Sequence, residues 1–179
     1  MVVDKYLQTC GSSLRKWYPP SFLASSLYDE SLVFADGREF VLKPQHGHGS
    51  NGQYRFSSDQ TAVDIALCFD IDLENYLAQL VVQGFEYTFH CLMWYGKLVE
   101  WGCYERIKTY AGHSVVARTC KPSWAAKYVQ TLAETKLFTN LHGVICFQVI
   151  DDGEHRYLIE INGRIGSGYP LLHAAGSSI

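Results

Sequence analysis

Residues 143–164 read GVICFQVIDDGEHRYLIEINGR and contain two short apolar runs on either side of a polar turn. The turn is the Asp-Asp-Gly triplet at 151–153, and this composition between two apolar runs predicts a β-hairpin. Side chains alternate between the faces of a strand, so Glu160 and Asn162 are expected on one face, where Gln148 of the partner strand can join them. The segment therefore predicts three oxygen donors on one face of a hairpin.

Three converging oxygen donors are typical of a site for Mg²⁺. This ion keeps several waters and is usually completed by substrate phosphates instead of a full set of protein ligands. Arg164 continues the alternation of the second strand, and its planar guanidinium would face an anion held by the metal. The hairpin alone leaves a second interpretation open, in which its polar face simply meets solvent.

A glycine-rich loop lies upstream, where residues 40–54 read FVLKPQHGHGSNGQY. Glycine permits close backbone approach, so such a loop can direct successive N–H groups at phosphate oxygens while Lys43 supplies a positive charge. The loop matches neither the P-loop nor the dinucleotide-binding pattern, because the lysine precedes the glycines and no helix follows directly. A glycine-rich hairpin turn without a ligand is the alternative.

A third segment, residues 78–93, reads AQLVVQGFEYTFHCLM and predicts a strand, a kink at Gly84 and then an alternating strand. A purine needs an apolar slot with backbone donors and acceptors, which an extended strand through Leu80 and Val82 offers. Glu86 follows the kink, where its carboxylate could accept both ribose hydroxyls. An exposed glutamate at a strand start is the simpler interpretation of that residue.

The order of these motifs resembles the ATP-grasp superfamily, and most closely its carbamoyl-phosphate-synthetase type. The resemblance rests on Lys43-Pro44 with the glycine loop, on Gln79 followed seven residues later by Glu86, and on Gln148 with Glu160-Ile-Asn162-Gly-Arg164. It spans residues 4 to about 176. It implies an α+β fold in which two subdomains clasp a nucleotide between them.

The resemblance also implies a role for each matched residue. Lys5 and Lys43 would contact the phosphates of ATP, Glu86 would accept the ribose, and Arg164 would face the transferred phosphoryl group. The loop from Gly47 to Gly52 would be a flexible lid that includes Gly49 and Ser50, and the adenine strand would comprise Gln79, Leu80 and Val82. Gln148, Glu160 and Asn162 would hold Mg²⁺, and residues 111–114 resemble a loop that closes over the site.

Three positions depart from the family pattern. Gln79 stands where glutamate is frequent, Gly163 stands where proline is usual, and Gln148 replaces an acidic residue found in many relatives. Glu160 is then the one carboxylate among the three expected ligands. We therefore expect the metal to arrive with ATP.

The activity that the resemblance implies is transfer of a phosphoryl group from ATP to a carboxylate, giving an acyl phosphate that an amine or similar nucleophile attacks. Two alternatives remain open: phosphorylation of a small inorganic acceptor such as bicarbonate, and a catalytically silent ATP-binding module. Relatives usually carry a preceding domain that helps to form the acceptor site. We therefore expect such a domain, or a partner chain, to complete this one.

Composition narrows the class of protein. The chain has 179 residues, of which 47% are apolar and 18% charged, so it can bury one sizeable core. A net charge of −3 with scattered Lys and Arg argues against a nucleic-acid or a membrane partner, and we expect neither. The six cysteines show no Cys-x-x-Cys pair, and we expect buried thiols in a reducing cytoplasm without a zinc site.

Periodicity predicts the remaining elements. Helices are expected over residues 4–14, 58–69, 122–136 and 170–175, and strands over 39–43, 52–56, 86–93 and 98–106, the last two joined through residues 95–97. We expect one ATP-grasp unit over residues 1–179. It would comprise a lead-in segment (1–30), a small lid subdomain (31–78) and a large subdomain with the metal-binding hairpin (79–179).

Overall fold

Two antiparallel sheets organise the chain. The computed structural model describes residues 14–28, 38–46, 52–56, 59–68, 70–110 and 112–177. The chain divides between Val82 and Gln83 into two compact units, the N-terminal unit and the C-terminal unit. Each unit has a sheet of its own, so the fold is of the α+β class.

The N-terminal unit has a four-stranded sheet with the strand order β1-β4-β2-β3 and antiparallel pairing throughout. Short 3-10 helices cover Arg15–Trp17, Ala24–Tyr28 and Leu73–Asn75. Its strands and helix are β1 (Ser21–Leu23), β2 (Phe40–Pro44), β3 (Tyr54–Phe56), α1 (Asp59–Cys68) and β4 (Tyr76–Leu80).

The hairpin predicted around the glycine loop is confirmed by the pairing of β2 with β3. Phe40 lies opposite Phe56 with ring centroids 5.8 Å apart, and both are buried together with Leu42. The helix predicted over residues 58–69 is also present as α1. Strand β4 pairs with β1 and β2, which carries the N-terminal unit on to Val82, beyond the subdomain boundary expected after Ala78.

The C-terminal unit has a five-stranded antiparallel sheet with the order β7-β6-β5-β8-β9. A 3-10 helix at Lys136–Phe138 follows the first of its two α-helices. The elements are β5 (Phe85–Trp94), β6 (Lys97–Tyr110), β7 (His113–Thr119), α2 (Ala125–Ala133), β8 (Gly143–Asp151), β9 (Arg156–Asn162) and α3 (Tyr169–Ala174).

The two faces of this sheet differ in chemistry. On one face Phe89 stacks on Phe147 with a centroid distance of 5.0 Å and contacts the aromatic rings of Trp124 and Tyr128. This aromatic core is covered by the start of α2 and the turn before it. We call the opposite face the polar face. It carries even-numbered residues of β5 that include Glu86, Thr88 and His90, because side chains alternate along a strand.

The predicted hairpins of this unit are confirmed. β5 and β6 join through Tyr95 and Gly96, whose positive φ angles of 46° and 73° are those of a tight hairpin turn. β8 and β9 form the hairpin predicted from residues 143–164. The helix predicted over 122–136 is shorter and covers Ala125–Ala133, since residues 122–124 form a turn before it. Residues 4–13 of the helix predicted over 4–14 lie outside the described residues, and Leu14 lies in a turn. In the part that the structure describes, no helix is long and apolar enough to cross a membrane.

Candidate functional site

The polar face brings together the three residues predicted as metal ligands. Gln148 of β8 lies directly opposite Glu160 of β9, and Asn162 lies opposite Cys146. All three side chains are partly buried, and within the described residues they form no side-chain hydrogen bond or ion pair. Three oxygen-bearing groups on one face thus have no protein partner in the described part of the chain.

A β-bulge in β9 determines which face of the sheet each of its side chains occupies. Val149 pairs with Leu158 and Gln148 pairs with Glu160, so Ile159 is an extra residue between the two pairs. In a regular strand without a bulge, Leu158 and Glu160 would lie on the same face, because they are two residues apart. The bulge instead buries Leu158 on the aromatic side and places Glu160 on the polar face, a role that bulges commonly have near functional sites.

The donor set fits Mg²⁺ by its chemistry. It offers one carboxylate and two amide oxygens, and such a set leaves positions for waters and phosphate oxygens. No three His, Cys, Asp or Glu side chains are grouped to hold a metal ion anywhere in the described ranges.

Arg164 lies just past the end of β9 and is exposed, and its Nη1 donates to the carbonyl oxygen of Ile165 at 3.3 Å. Burial raises the pKa of the Cys146 thiol to about 12, and the nearby charges of Arg164 and Glu160 lower and raise it respectively. Both charged groups thus act on the same thiol of the polar face. Arg164 is available to meet an anion there.

His90 and Thr88 are buried polar residues of this face that the sequence analysis did not identify. Thr88 pairs with Gln148 and His90 with Cys146, so both lie one strand away from Gln148 and two strands away from the ligands predicted on β9. Burial lowers the pKa of His90 to about 4, and neither ring nitrogen has a hydrogen-bond partner in the described residues. The signal was present in the alternation of β5, which groups them with Glu86.

A glycine-containing segment after β9 covers part of the polar face. A Cβ at Gly166 would lie 2.9 Å from the Cys146 sulfur and 3.2 Å from the His90 ring. A Cβ at Gly168 would lie 2.2 Å from the Tyr104 hydroxyl oxygen. Only residues without a side chain allow the backbone to approach this closely.

Glu86, the predicted ribose acceptor, forms an ion pair with Arg106 of β6. Arg106 also donates to the Ser114 hydroxyl at 2.9 Å and to the Gly112 carbonyl at 2.6 Å. The pair uses Oε1 of Glu86, and its second carboxylate oxygen is left to accept other donors. Arg106 therefore connects Glu86 to residues 112–114, part of the loop predicted to close over the site.

A separate polar chain lies in the N-terminal unit. The Lys43 ammonium donates to the Gln79 side-chain oxygen at 2.6 Å, and the Gln79 amide donates to the Ser21 hydroxyl at 2.9 Å. Gln79 is buried, so its amide is committed to these two bonds. In this arrangement Gln79 positions Lys43, a role that the sequence did not indicate.

The structure describes only some of the other residues that are predicted to contact the nucleotide. The Leu80 N–H donates to the Pro20 carbonyl and the Val81 N–H to that of Glu39, so both amides are used within the unit. Val82 follows β4 and is half-buried, and Gly52 has a positive φ of 68°. Lys5, Gly47, Gly49 and Ser50 lie outside the described residues.

Comparisons with known proteins agree with this architecture. A family model described as an ATP-grasp domain matches residues 5–168. D-alanyl-alanine synthetase A from Vibrio cholerae is similar in structure with a TM-score of 0.65 at 19% identity, over 97% of this chain and 62% of that one. Biotin carboxylase from Campylobacter jejuni, solved as a beta-gamma-ATP complex, gives a TM-score of 0.70 at 14% identity, over 96% of this chain and 41% of that one.

A third similar structure is N5-carboxyaminoimidazole synthetase from Staphylococcus aureus, with a TM-score of 0.61 at 12% identity over 92% of this chain and 43% of that one. A search of curated protein sequences finds no significant match. The chain spans less than two thirds of the length of each of these solved structures. The family match covers nearly the whole chain, and the chain belongs to the ATP-grasp family.

Proposed function

We propose that the chain is the ATP-dependent part of a ligase that activates a carboxylate as an acyl phosphate for attack by an amine or similar nucleophile. The observation that carries the proposal is the polar face, where Gln148, Glu160 and Asn162 come together in a member of the ATP-grasp family. These three residues would hold Mg²⁺, and the bound ion would neutralise negative charge on the phosphates.

Phosphoryl transfer depends mainly on positioning and on charge stabilisation, with little covalent chemistry for the protein to perform. Arg164 would offer two parallel N–H donors to the transferred phosphoryl group. Lys43, held by Gln79, would contact the nucleotide phosphates as a point charge, and Lys5 would do the same. Each of these groups stabilises negative charge without itself gaining or losing a proton.

The remaining predicted contacts concern the nucleoside and the lid. Glu86, fixed by Arg106, would accept the ribose hydroxyls, and the strand through Gln79, Leu80 and Val82 would border the adenine. Gly47, Gly49, Ser50 and Gly52 would form the lid over the phosphates. The support for these roles is the position of each residue in the matched family segment.

The acceptor site would be completed by a preceding domain or a partner chain. The support is that this chain spans 62% or less of the three similar structures described above. We expect the chain alone to bind nucleotide but to turn over slowly, because holding both reactants together contributes about 7–11 kcal/mol to lowering a barrier. The substrates would be small carboxylates and amines, and the cofactors ATP and Mg²⁺.

A catalytically silent ATP-binding module is the second candidate. The single carboxylate among the three proposed metal ligands favours it, because one negative charge holds Mg²⁺ less tightly than two. The two candidates differ in whether ADP release responds to an acceptor.

The test is ADP release by the chain with panels of carboxylates and amines, with bicarbonate as a separate acceptor. Glu160→Gln should lower Mg²⁺-dependent release by about a hundredfold or more, the size of effect seen when a charge-stabilising group is removed. Glu154→Gln, in the exposed turn of the same hairpin, is the matched control and should retain the rate. Equal rates for the two variants would place the metal elsewhere. ATP binding that stays without acceptor-dependent ADP release, even after the preceding domain or partner chain is supplied, would favour the silent module.

A further inference from the structure

Two cysteines of the C-terminal unit face each other across strands β6 and β7. Cys103 lies in β6, and Cys120 directly follows β7. Tyr104 pairs with Thr119, and the Cys120 N–H donates to the Cys103 carbonyl oxygen at 3.1 Å. The two residues are therefore directly opposed, and their sulfur atoms are 3.8 Å apart.

This arrangement is compatible with a covalent bond between the two sulfurs. Directly opposed residues of antiparallel strands have Cα atoms about 4.5–5.5 Å apart. Disulfides accept Cα separations of about 4.4–6.8 Å. Rotation of the two side chains would thus bring the sulfurs together without moving the strands.

The two thiols differ in pKa and in solvent exposure. The hydrogen bond between the sulfurs raises the pKa of Cys103, which is also buried, and lowers the pKa of Cys120. Cys120 is only partly buried, so it is the sulfur that a solute can reach. The more acidic and more accessible thiol is the better initial nucleophile.

In the described ranges, no other two cysteines are joined by a sulfur–sulfur hydrogen bond. Cys91 and Cys146 are buried, and burial raises the pKa of both. Cys68 is exposed and can react with a solute, but among the described cysteines none forms a sulfur–sulfur hydrogen bond with it. The chemistry of the 103–120 pair is therefore distinct from that of the other described thiols.

We propose that Cys103 and Cys120 form a dithiol modification site that reacts with small disulfides such as glutathione disulfide. The Cys120 thiolate attacks one sulfur of that disulfide, forms a mixed disulfide and releases one glutathione thiolate. Cys103 then loses its proton to that thiolate and attacks the Cys120 sulfur, which releases the second glutathione. Two protein thiols are oxidised, and one small disulfide is reduced to two thiols.

The resulting disulfide would cross-link strands β6 and β7 at one end of their hairpin. Arg106 already joins β6 to residues 112–114 near the turn, whereas the cysteines lie at the open end of the hairpin. Oxidation would then hold the hairpin at both ends. This inference is independent of nucleotide binding and of the proposed ligase activity.

The experiment treats the folded chain with glutathione disulfide, blocks the remaining thiols by alkylation and maps tryptic peptides by mass spectrometry. Residues 98–106 carry Cys103, and residues 119–127 carry Cys120, because Lys121 precedes a proline and is not cleaved. We expect these two peptides joined by a disulfide that dithiothreitol reverses. The same treatment in urea should give mixed pairings among the six cysteines instead.

Two variants sharpen the test. Cys103→Ser removes the resolving thiol and should trap glutathione on residues 119–127, whereas Cys68→Ser should leave the linked peptides unchanged. The proposal is overturned if both peptides of the folded native chain remain separately alkylated. It is equally overturned if glutathione accumulates on Cys120 of the native chain as it does in Cys103→Ser.

Discussion

At the scale of single residues, Gln79 shows how a buried amide can orient a charged side chain by hydrogen bonding. Its oxygen accepts from Lys43 and its nitrogen donates to Ser21, so both ends of the amide are used. A charge-assisted hydrogen bond of this kind fixes the direction of the lysine side chain. The geometry of Lys43 therefore depends on a residue of a different strand.

We expect Gln79→Leu to lower the free energy of unfolding by about 1–3 kcal/mol, because buried polar partners lose their hydrogen bonds. It should also weaken ATP binding, since Lys43 loses its hydrogen bond to Gln79. Gln79→Glu keeps an acceptor for Lys43 and should bind ATP more tightly than Gln79→Leu. Urea denaturation and calorimetric titration measure the two effects. Unchanged ATP affinity in Gln79→Leu would show that the position of Lys43 does not matter for nucleotide binding.

His90 should make the stability of the C-terminal unit depend on pH. Its pKa falls from 6.5 to about 4 on burial, so the unfolded chain binds more protons than the native chain between these values. Stability is then full above pH 6.5 and decreases as the pH falls toward 4, by about 3 kcal/mol in total. The measurement is the free energy of unfolding across this range for the native chain and for His90→Asn.

His90→Asn should remove most of this slope, whatever its effect at neutral pH. His155→Gln, which changes an exposed histidine of the β8–β9 turn, is the control and should retain the slope. Parallel curves for the native chain and His90→Asn would show that His90 is not buried in its neutral form.

The residue scale also marks a limit of sequence analysis. Lys43 and Gln79 are 36 positions apart, and no local pattern links them. Glu86 could be identified as a candidate acceptor, but its ion pair with Arg106 depends on the register of β5 with β6. Residue type and spacing identify such groups, and only strand pairing identifies their partners.

At the scale of elements, the segment between β9 and α3 depends on two glycines. Gly168→Ala would place a Cβ 2.2 Å from the hydroxyl oxygen of the buried Tyr104, and Gly166→Ala would crowd Cys146 and His90 less severely. Overpacking of this kind typically costs about 1–3 kcal/mol. We expect Gly168→Ala to lose at least as much stability as Gly166→Ala in urea denaturation.

The same segment provides a control, because no heavy atom lies within 4 Å of a Cβ added at Gly163. Gly163→Ala should leave stability within about 0.5 kcal/mol of the native value. Equal losses at Gly163 and Gly168 would mean that backbone freedom, not crowding, requires glycine there.

Elements were the best-predicted level of the structure. The hairpins β2–β3, β5–β6 and β8–β9 were predicted from short apolar or alternating runs separated by turn residues, because strand periodicity and turn composition are both local features. The β6–β7 hairpin was not predicted. The bulge at Ile159 could not be predicted, because the apolar residues of YLIEI are compatible both with a regular strand and with a bulged one. Glu160 and Asn162 were correctly grouped since both follow the bulge, whereas Leu158 precedes it.

At the scale of the whole molecule, bound nucleotide should stabilise the fold. A ligand that binds only the native state adds about 2.7 kcal/mol at a hundredfold excess over its Kd. ATP or ADP with Mg²⁺ should therefore raise the melting temperature in calorimetry, and GTP should raise it less. An unchanged melting temperature at millimolar adenine nucleotide would contradict the assignment of ATP.

The strand order of the N-terminal sheet has a consequence for biosynthesis. β4 lies between β1 and β2 although it is the last of the four strands in the chain, and β1 pairs only with β4 in the described residues. On the ribosome this sheet stays incomplete until Tyr76–Leu80 have been added. β5, β6 and β7 instead pair in order, so each of their hairpins can close as soon as its second strand emerges. The unit made first must therefore wait for its final strand, whereas the unit made second can begin to pair while it is still being translated.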